Sequence, residues 1–137
     1  MEWRRTMLLK YRSDYQKIAM GLLSLLPTFK DWDRLQRELS WYQGGDDRTL
    51  YLWKDENDDF AGALGTEVHD QFLIVRLVTL MPDKPVTAST WQMLDQLTTA
   101  VPNKRLMGTL TTAKIIAKWE YHHGQNHSER TTADSGQ

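Results

Sequence analysis

The sequence contains no cysteine, which excludes disulfides, thiolate metal sites and cysteine nucleophiles and is compatible with a reducing compartment. An excess of either charge is also missing. Lys and Arg number 17 against 18 Asp and Glu, a net charge of -1, so the basic footprint of a nucleic-acid or anionic-membrane binder is absent. No apolar run approaches the roughly 20 residues a membrane helix needs, in agreement with a mean hydropathy of -0.59. The start of the chain does not read as a signal peptide, because Met7 to Leu9 is followed at once by Lys10, Tyr11 and Arg12 where an apolar stretch would be required. A cytoplasmic location is therefore expected. Met7 reads as a second plausible start, because Met7 to Tyr11 already reads as a strand, and residues 1 to 6 are expected to matter little.

What is present is enough for one domain. The chain has 137 residues, long enough for a single sizeable core and too short for two. Hydrophobic residues make up 40% counting five tyrosines. Exchanging those for the eight glycines gives about 42%, below the roughly 45–50% of globular domains. The deficit falls at the end: residues 124–137 hold one alanine as their only aliphatic residue, and burial of so little cannot offset the entropy of ordering them. The reading is one domain over 1–123 followed by a disordered tail over 124–137.

Along the domain, Ser13 with Gln16 three residues later makes a capping-box signature, followed by Tyr15, Ile18, Ala19, Leu22, Leu23, Leu25 and Leu26 at helical spacing as far as Pro27. A second helix starts around Thr28 to Asp31, repeats Trp32, Leu35, Leu39 and Tyr42, and stops at Gly44 and Gly45, where a left-handed cap is easy. The period then changes to two. Thr49 to Lys54 places Leu50 and Leu52 on one face, with Tyr51 and Trp53 on the other. The polar run Asp55 to Asp59 turns the chain, and Phe60 to Val68 returns with Gly62 and Gly65, positions suited to a bulge or a close backbone approach. Gln71 to Leu80 is the most continuous apolar stretch and reads as a central strand buried on both faces. Arg76 within it needs a partner, for which Glu67 on the neighbouring strand is the candidate.

Pro82 and Pro85 enforce a loop. A helix follows from Thr87 through Trp91, Leu94 and Leu97 to Ala100–Pro102, then a short strand over Leu106 to Leu110. A last helix from Thr112 carries Ile115, Ile116 and Trp119. The order β α α β β β α β α gives an α/β (α+β in some schemes) fold, a mixed, mostly antiparallel central sheet flanked by helices.

Several features have plain readings. His122, His123 and His127 sit on a helix end and in the tail with no carboxylate pattern, so no metal is expected. The eight Lys and Arg against four Asp and Glu in residues 1–37 read as a solvated face. Of the six tryptophans, Trp32, Trp91 and Trp119 fit helical core positions, while an exposed set of Trp3, Trp41 and Trp53 would be consistent with a homodimer.

The element order resembles the GNAT acyltransferase architecture. The words Lys17-Ile18-Ala19-Met20-Gly21-Leu22-Leu23-Ser24, Asp47-Arg48 with Leu50-Tyr51-Leu52-Trp53-Lys54, and Gly62-Ala63-Leu64-Gly65 resemble more narrowly the RibT family, the GNAT-like proteins encoded with riboflavin-biosynthesis genes. The resemblance covers roughly Met7 to Gly124. It implies N-acyl transfer from acetyl-CoA to a small-molecule or protein amine. Val78 and Leu80 would offer strand backbone to the pantetheine, and Val86, Thr87, Ala88, Ser89 and Thr90 would supply amides for the pyrophosphate, as orphan N–H groups and the positive end of the macrodipole favour. The family pattern Q/R-x-x-G-x-G/A falls here on Pro85, Ala88 and Thr90, with Lys84 adjacent. Glu67 is the nearest carboxylate for a general base. Trp119 stands where many members carry a tyrosine acid, a role an indole cannot fill. A non-catalytic binding or accessory module of the same fold is the alternative implied by that loop.

Overall fold

A computed structural model describes the backbone of residues 5–135 and the side chains of 5–124. Alternating apolar runs produce a five-stranded sheet in the order β1 (Met7–Lys10), β2 (Arg48–Lys54), β3 (Phe60–His69), β4 (Phe72–Leu80) and β5 (Arg105–Gly108). All neighbours are antiparallel except β4 and β5, which run parallel. Helices α1 (Gln16–Leu23) and α2 (Trp32–Gln43) precede β2, α3 (Val86–Ala100) crosses between β4 and β5, and α4 (Ala113–Ser135) follows β5. The order is the one the periodicities predict. Among the described residues no helix is long and apolar enough to cross a membrane.

Two cores sandwich the sheet. Leu50 and Leu52 of β2 pack with Leu22, Leu23, Leu35 and Leu39 of α1 and α2, while Tyr51 and Trp53 join Met93, Leu94, Leu97, Ile116 and Trp119 of α3 and α4. The alternation in β2 is thus used on both faces, as period two requires. Trp53 is 1% exposed and Trp41 lies under two guanidiniums, which removes both from the exposed aromatic set; Trp3 lies outside the described residues. Among the described residues the exposed tryptophan is Trp32, at 62%, where a helical core position was expected. It occupies the first position of α2, just after the Asp31 cap, before the helix reaches the sheet.

Local chemistry departs from expectation in four places, while the start of α2 falls where expected. The Ser13 and Gln16 capping box does not form: residues Ser13–Tyr15 make a 3-10 turn without a side-chain cap, and Arg12 pairs with Asp14 instead. Asp31 caps α2 by accepting from the Asp33 N–H at 2.9 Å. Gly44 closes α2 at φ -88°, and no glycine in the described structure has positive φ; Asp58 and Asp70 do. Thr6 accepts from the Gln96 side chain through both its carbonyl and its hydroxyl, so the segment before Met7 does make contacts. Helix α4 runs past Gly124 to Ser135. An isolated glycine weakens a helix by only ~1 kcal/mol, and no proline follows it. The side chains of that extension lie outside the described residues.

Candidate functional site

The register of β3 on β4 slips between Gly65 and Thr66: Gly65 faces Leu77 and Thr66 faces Val75. Arg76 is the extra residue, a β-bulge that exchanges the faces of the strand. Leu73 and Val75 before it, and Val78 and Leu80 after it, lie on the α3 and α4 side, whereas Leu77 packs with α1 and α2. The central strand is therefore a strand of alternating burial whose phase jumps once, and not one buried evenly on both faces.

The bulge coincides with a fork in the sheet. Strands β4 and β5 pair only from Phe72 with Arg105 to Val75 with Gly108, and from Arg76 onward no strand lies beside that edge of β4 among the described residues. A threonine marks the branch: the Thr112 hydroxyl donates to the Val75 carbonyl at 2.5 Å and accepts from the Thr109 N–H at 3.0 Å. On the other face the Thr79 hydroxyl donates to the Leu22 carbonyl at 3.1 Å, tying the C-terminal turn of α1 to β4. An unpaired strand edge can take an extended ligand as an additional strand. Val78 and Leu80 are on that segment.

Helix α3 starts where β4 and its proline loop end. Its N-cap is Pro85, with no side-chain cap. The Ser89 N–H donates to the Pro85 carbonyl at 3.0 Å, so the free amides are those of Val86, Thr87 and Ala88, all exposed. Ser89 and Thr90 are 4% and 1% exposed. Their side chains face the core and the Ser89 amide is already bonded within the helix, so neither residue serves the anion as expected.

Lys84 is also committed elsewhere. It pairs with the buried Asp55, whose carboxylate accepts from the Asn57 and Asp59 amides at 2.9 and 3.1 Å. The acidic run is thus more than a solvated hairpin tip, since its first residue is turned inward. Burial alone would push the Asp55 carboxyl up, but Lys84 and the two amides together hold it below the usual carboxylate range. The Asp55 bond raises the Lys84 ammonium in turn. A depressed carboxyl contributes stability that is present above the ordinary carboxylate range and lost as pH falls through the lower native value. Lys84→Met is expected to lower Tm by several degrees at pH 7, with the deficit shrinking towards pH 3 as Asp55 is neutralised; thermal melts between pH 3 and 8 check this.

Glu67 is drawn into a different cluster. Its carboxylate lies 3.7 Å from Arg76 and 3.0 Å from His69, and Arg76 also meets Glu38 at 3.6 Å. Glu67 pairs across the sheet with Ile74, four residues before Val78, or ~13 Å of strand. The structure therefore joins Glu67 to Arg76, as the apolar run around that arginine demands, and does not bring it to Val86–Ala88. Trp119 is 4% exposed and donates its indole N–H to Asp95 at 3.0 Å, a core anchor between α4 and α3. His123 stacks on Trp119 and lies 3.4 Å from Asp95, and His122 stacks on Trp91. His127 falls outside the described side chains, and among the described residues no group of three potential ligands forms a metal site. The sequence reading missed Thr112 and Glu38: a threonine among threonines and a glutamate on a polar helix carry no distinguishing signal.

No protein-family profile matches the chain. It is 34% identical over 119 residues to an uncharacterized N-acetyltransferase in the lysA 3' region of Bacillus methanolicus, covering 86% of this chain and 98% of that one. Its fold is similar to that of an acetyltransferase from Thermus thermophilus, with a TM-score of 0.65 at 15% identity over 88% of each chain. It is also similar to AAC(6')-Iy in complex with the bisubstrate analog CoA-S-monomethyl-acetylneamine, with a TM-score of 0.60 at 8% identity and 88% of each chain covered.

Proposed function

The chain belongs to the GNAT N-acetyltransferases, and from that premise we propose that it transfers an acetyl group from acetyl-CoA to an amine, with the donor lying in the fork between β4 and β5. The observation that carries this reading is the coincidence of two backbone features. The unpaired edge of β4 from Arg76 to Leu80 leads to three exposed free amides at Val86, Thr87 and Ala88. Polar donors on such an edge suit the amide groups of a pantetheine, and a helix N-terminus suits a pyrophosphate. The residues fit the group through backbone alone, which explains how a loop with Pro85, Ala88 and Thr90 in place of basic and glycine positions still serves. When bound, acetyl-CoA supplies a thioester: the amine nitrogen forms the new C–N bond as the C–S bond breaks, the amine proton passes to water and the thiolate leaves as CoA.

The protein's own contribution is positional. The edge of β4 aligns the donor, the bulge at Arg76 turns it, and Thr112 holds the branch point by occupying the Val75 carbonyl. With Glu67 held by Arg76 and Trp119 by Asp95, we assign neither as base or acid, and proton transfer runs through water. The association with riboflavin genes and the cytoplasmic location are our reading of the likeness around Lys17–Ser24, Asp47–Lys54 and Gly62–Gly65 and of the composition. The engagement of Lys84 by Asp55 favours a second reading, a GNAT-fold accessory protein that has lost CoA binding.

Titration calorimetry with acetyl-CoA and desulfo-CoA separates the two. Micromolar binding is expected, weakened at least ~10-fold in Ala88→Asp, because a carboxylate in the first turn repels the pyrophosphate while suiting the helix dipole and leaving Tm unchanged or raised. No binding at millimolar ligand would leave the accessory reading.

A further inference from the structure

We infer that an open cavity between α2 and the bulge of β4 receives an anionic oxyacid group, so that the acceptor amine also carries a carboxylate or a phosphate. The amine's role as acceptor rests on the acyltransfer reading; the cavity does not. It measures about 320 Å³ and is lined by Phe29, Arg34, Arg37, Glu38, Trp41 and Arg76. That volume is at the low end for a small-molecule site.

Three guanidiniums face one carboxylate across this space. Arg34 and Arg37 are exposed and stand three residues apart on α2, hence side by side on one face. Among the described residues neither belongs to an ion pair. Arg76 is tied but not saturated. Its terminal nitrogens are 3.6 and 3.7 Å from Glu38 and Glu67, long against the roughly 2.7–2.9 Å of a charge-assisted hydrogen bond, and its buried Nε has no acceptor. A ligand oxygen in the cavity would meet these loosely held terminal nitrogens, not the buried Nε.

The Trp41 side of the cluster is held in place. The Trp41 ring has the guanidinium of Arg76 at 4.1 Å and that of Arg48 at 4.5 Å from its centroid, and Arg48 donates to the Trp41 carbonyl at 3.1 Å. A planar fork held against an aromatic face loses little freedom on meeting a planar or tetrahedral oxyanion. An ammonium is repelled from the same walls. A zwitterionic acceptor would therefore enter with its anion on Arg34, Arg37 and Arg76 and its amine turned away. The backbone of Arg76 is also where β4 parts from β5, so the cavity and the fork share this residue.

The test uses the full chain and three small amines: β-alanine, phosphoethanolamine and ethylamine. Acetylation is read by release of the CoA thiol, which is unambiguous because the protein has no cysteine. β-Alanine or phosphoethanolamine is expected to outpace ethylamine by at least ~10-fold in kcat/KM, and Arg34→Gln with Arg37→Gln to remove most of that advantage through KM. The carboxylate and phosphate arms tell the two anions apart. Independently of turnover, the indole N–H resonance of Trp41, assigned through Trp41→Phe, should shift on adding either anion, remain still with ethylamine, and lose its response in the double variant. Acetyl-CoA binding that leaves the three amines equivalent and the Trp41 signal unmoved overturns the inference. Failure of acetyl-CoA to bind defeats the acyltransfer reading alone, and the Trp41 titration then decides whether the cavity takes an anion.

Discussion

Gly65→Ala is expected to destabilise the protein by about 3 kcal/mol, seen as a fall of roughly 10 °C in Tm. The backbone at Gly65 is unstrained, with no positive φ, so the effect is purely one of space. A Cβ there would lie 2.0 Å from the Tyr42 hydroxyl oxygen, 2.6 Å from its Cζ and 3.0 Å from Leu77 Cγ. Tyr42 is 5% exposed and packs edge-on against Trp41 at 5.0 Å. Its buried hydroxyl, pushed well above the ordinary tyrosine range by desolvation, stays protonated and has no geometrically sound hydrogen bond. Moving it means moving α2, and with α2 the stacked guanidiniums of Arg76 and Arg48. Removing only the hydroxyl in Tyr42→Phe leaves ring carbon at 2.6 Å and should rescue little, whereas Tyr42→Leu should recover much of the loss through a non-additive pair. Equal melting temperatures for Gly65→Ala and the parent would contradict this packing.

Gly65 also illustrates what was legible in the sequence. A glycine amid strand residues signals a bulge or a close approach, and both occur there: the register slips beside it, and Tyr42 fills the space of its missing side chain. The element order was readable because the period switches cleanly, from Leu35, Leu39 and Tyr42 on a helix to Tyr51 and Trp53 against Leu50 and Leu52 on a strand. Arg76 announced its need of a partner, and Glu67 was within reach by pairing. Its second partner, Glu38, is remote in sequence and has no local mark. The phase jump in β4 was invisible because Phe72 to Leu80 is apolar at nearly every position, so either phase buries hydrophobic side chains. For α3, Ser89 and Thr90 were expected among the residues offering amides to an anion, yet helical geometry turns them towards the core and leaves Val86, Thr87 and Ala88 outward. The candidate site is made largely of backbone, and backbone exposure is written in topology more than in residue type.

The same dependence on backbone makes Gly108 the most sensitive point of the fork. Gly108→Ala is expected to cost about 3 kcal/mol and to lower the affinity for acetyl-CoA in the fraction that remains folded. A Cβ at Gly108 would sit 2.5 Å from Ala113 Cα, 2.6 Å from Ala113 N and 2.8 Å from the Thr112 carbonyl carbon. All three are main-chain atoms at the start of α4, so no side-chain rotation gives relief. The chain must instead lift the first turn of α4 away from β5, which draws the Thr112 hydroxyl off the Val75 carbonyl and off the Thr109 amide. That leaves a buried carbonyl unsatisfied at the last pair of the β4 and β5 ladder. Thr112→Val removes the same bonds without the clash and should cost about 1–2 kcal/mol. The double variant should then be less unstable than the sum, because the alanine has already broken what the valine removes. Denaturant melts of the four proteins measure the coupling. Strict additivity would mean that Gly108 acts on the helix alone and that the branch point of the sheet does not depend on it.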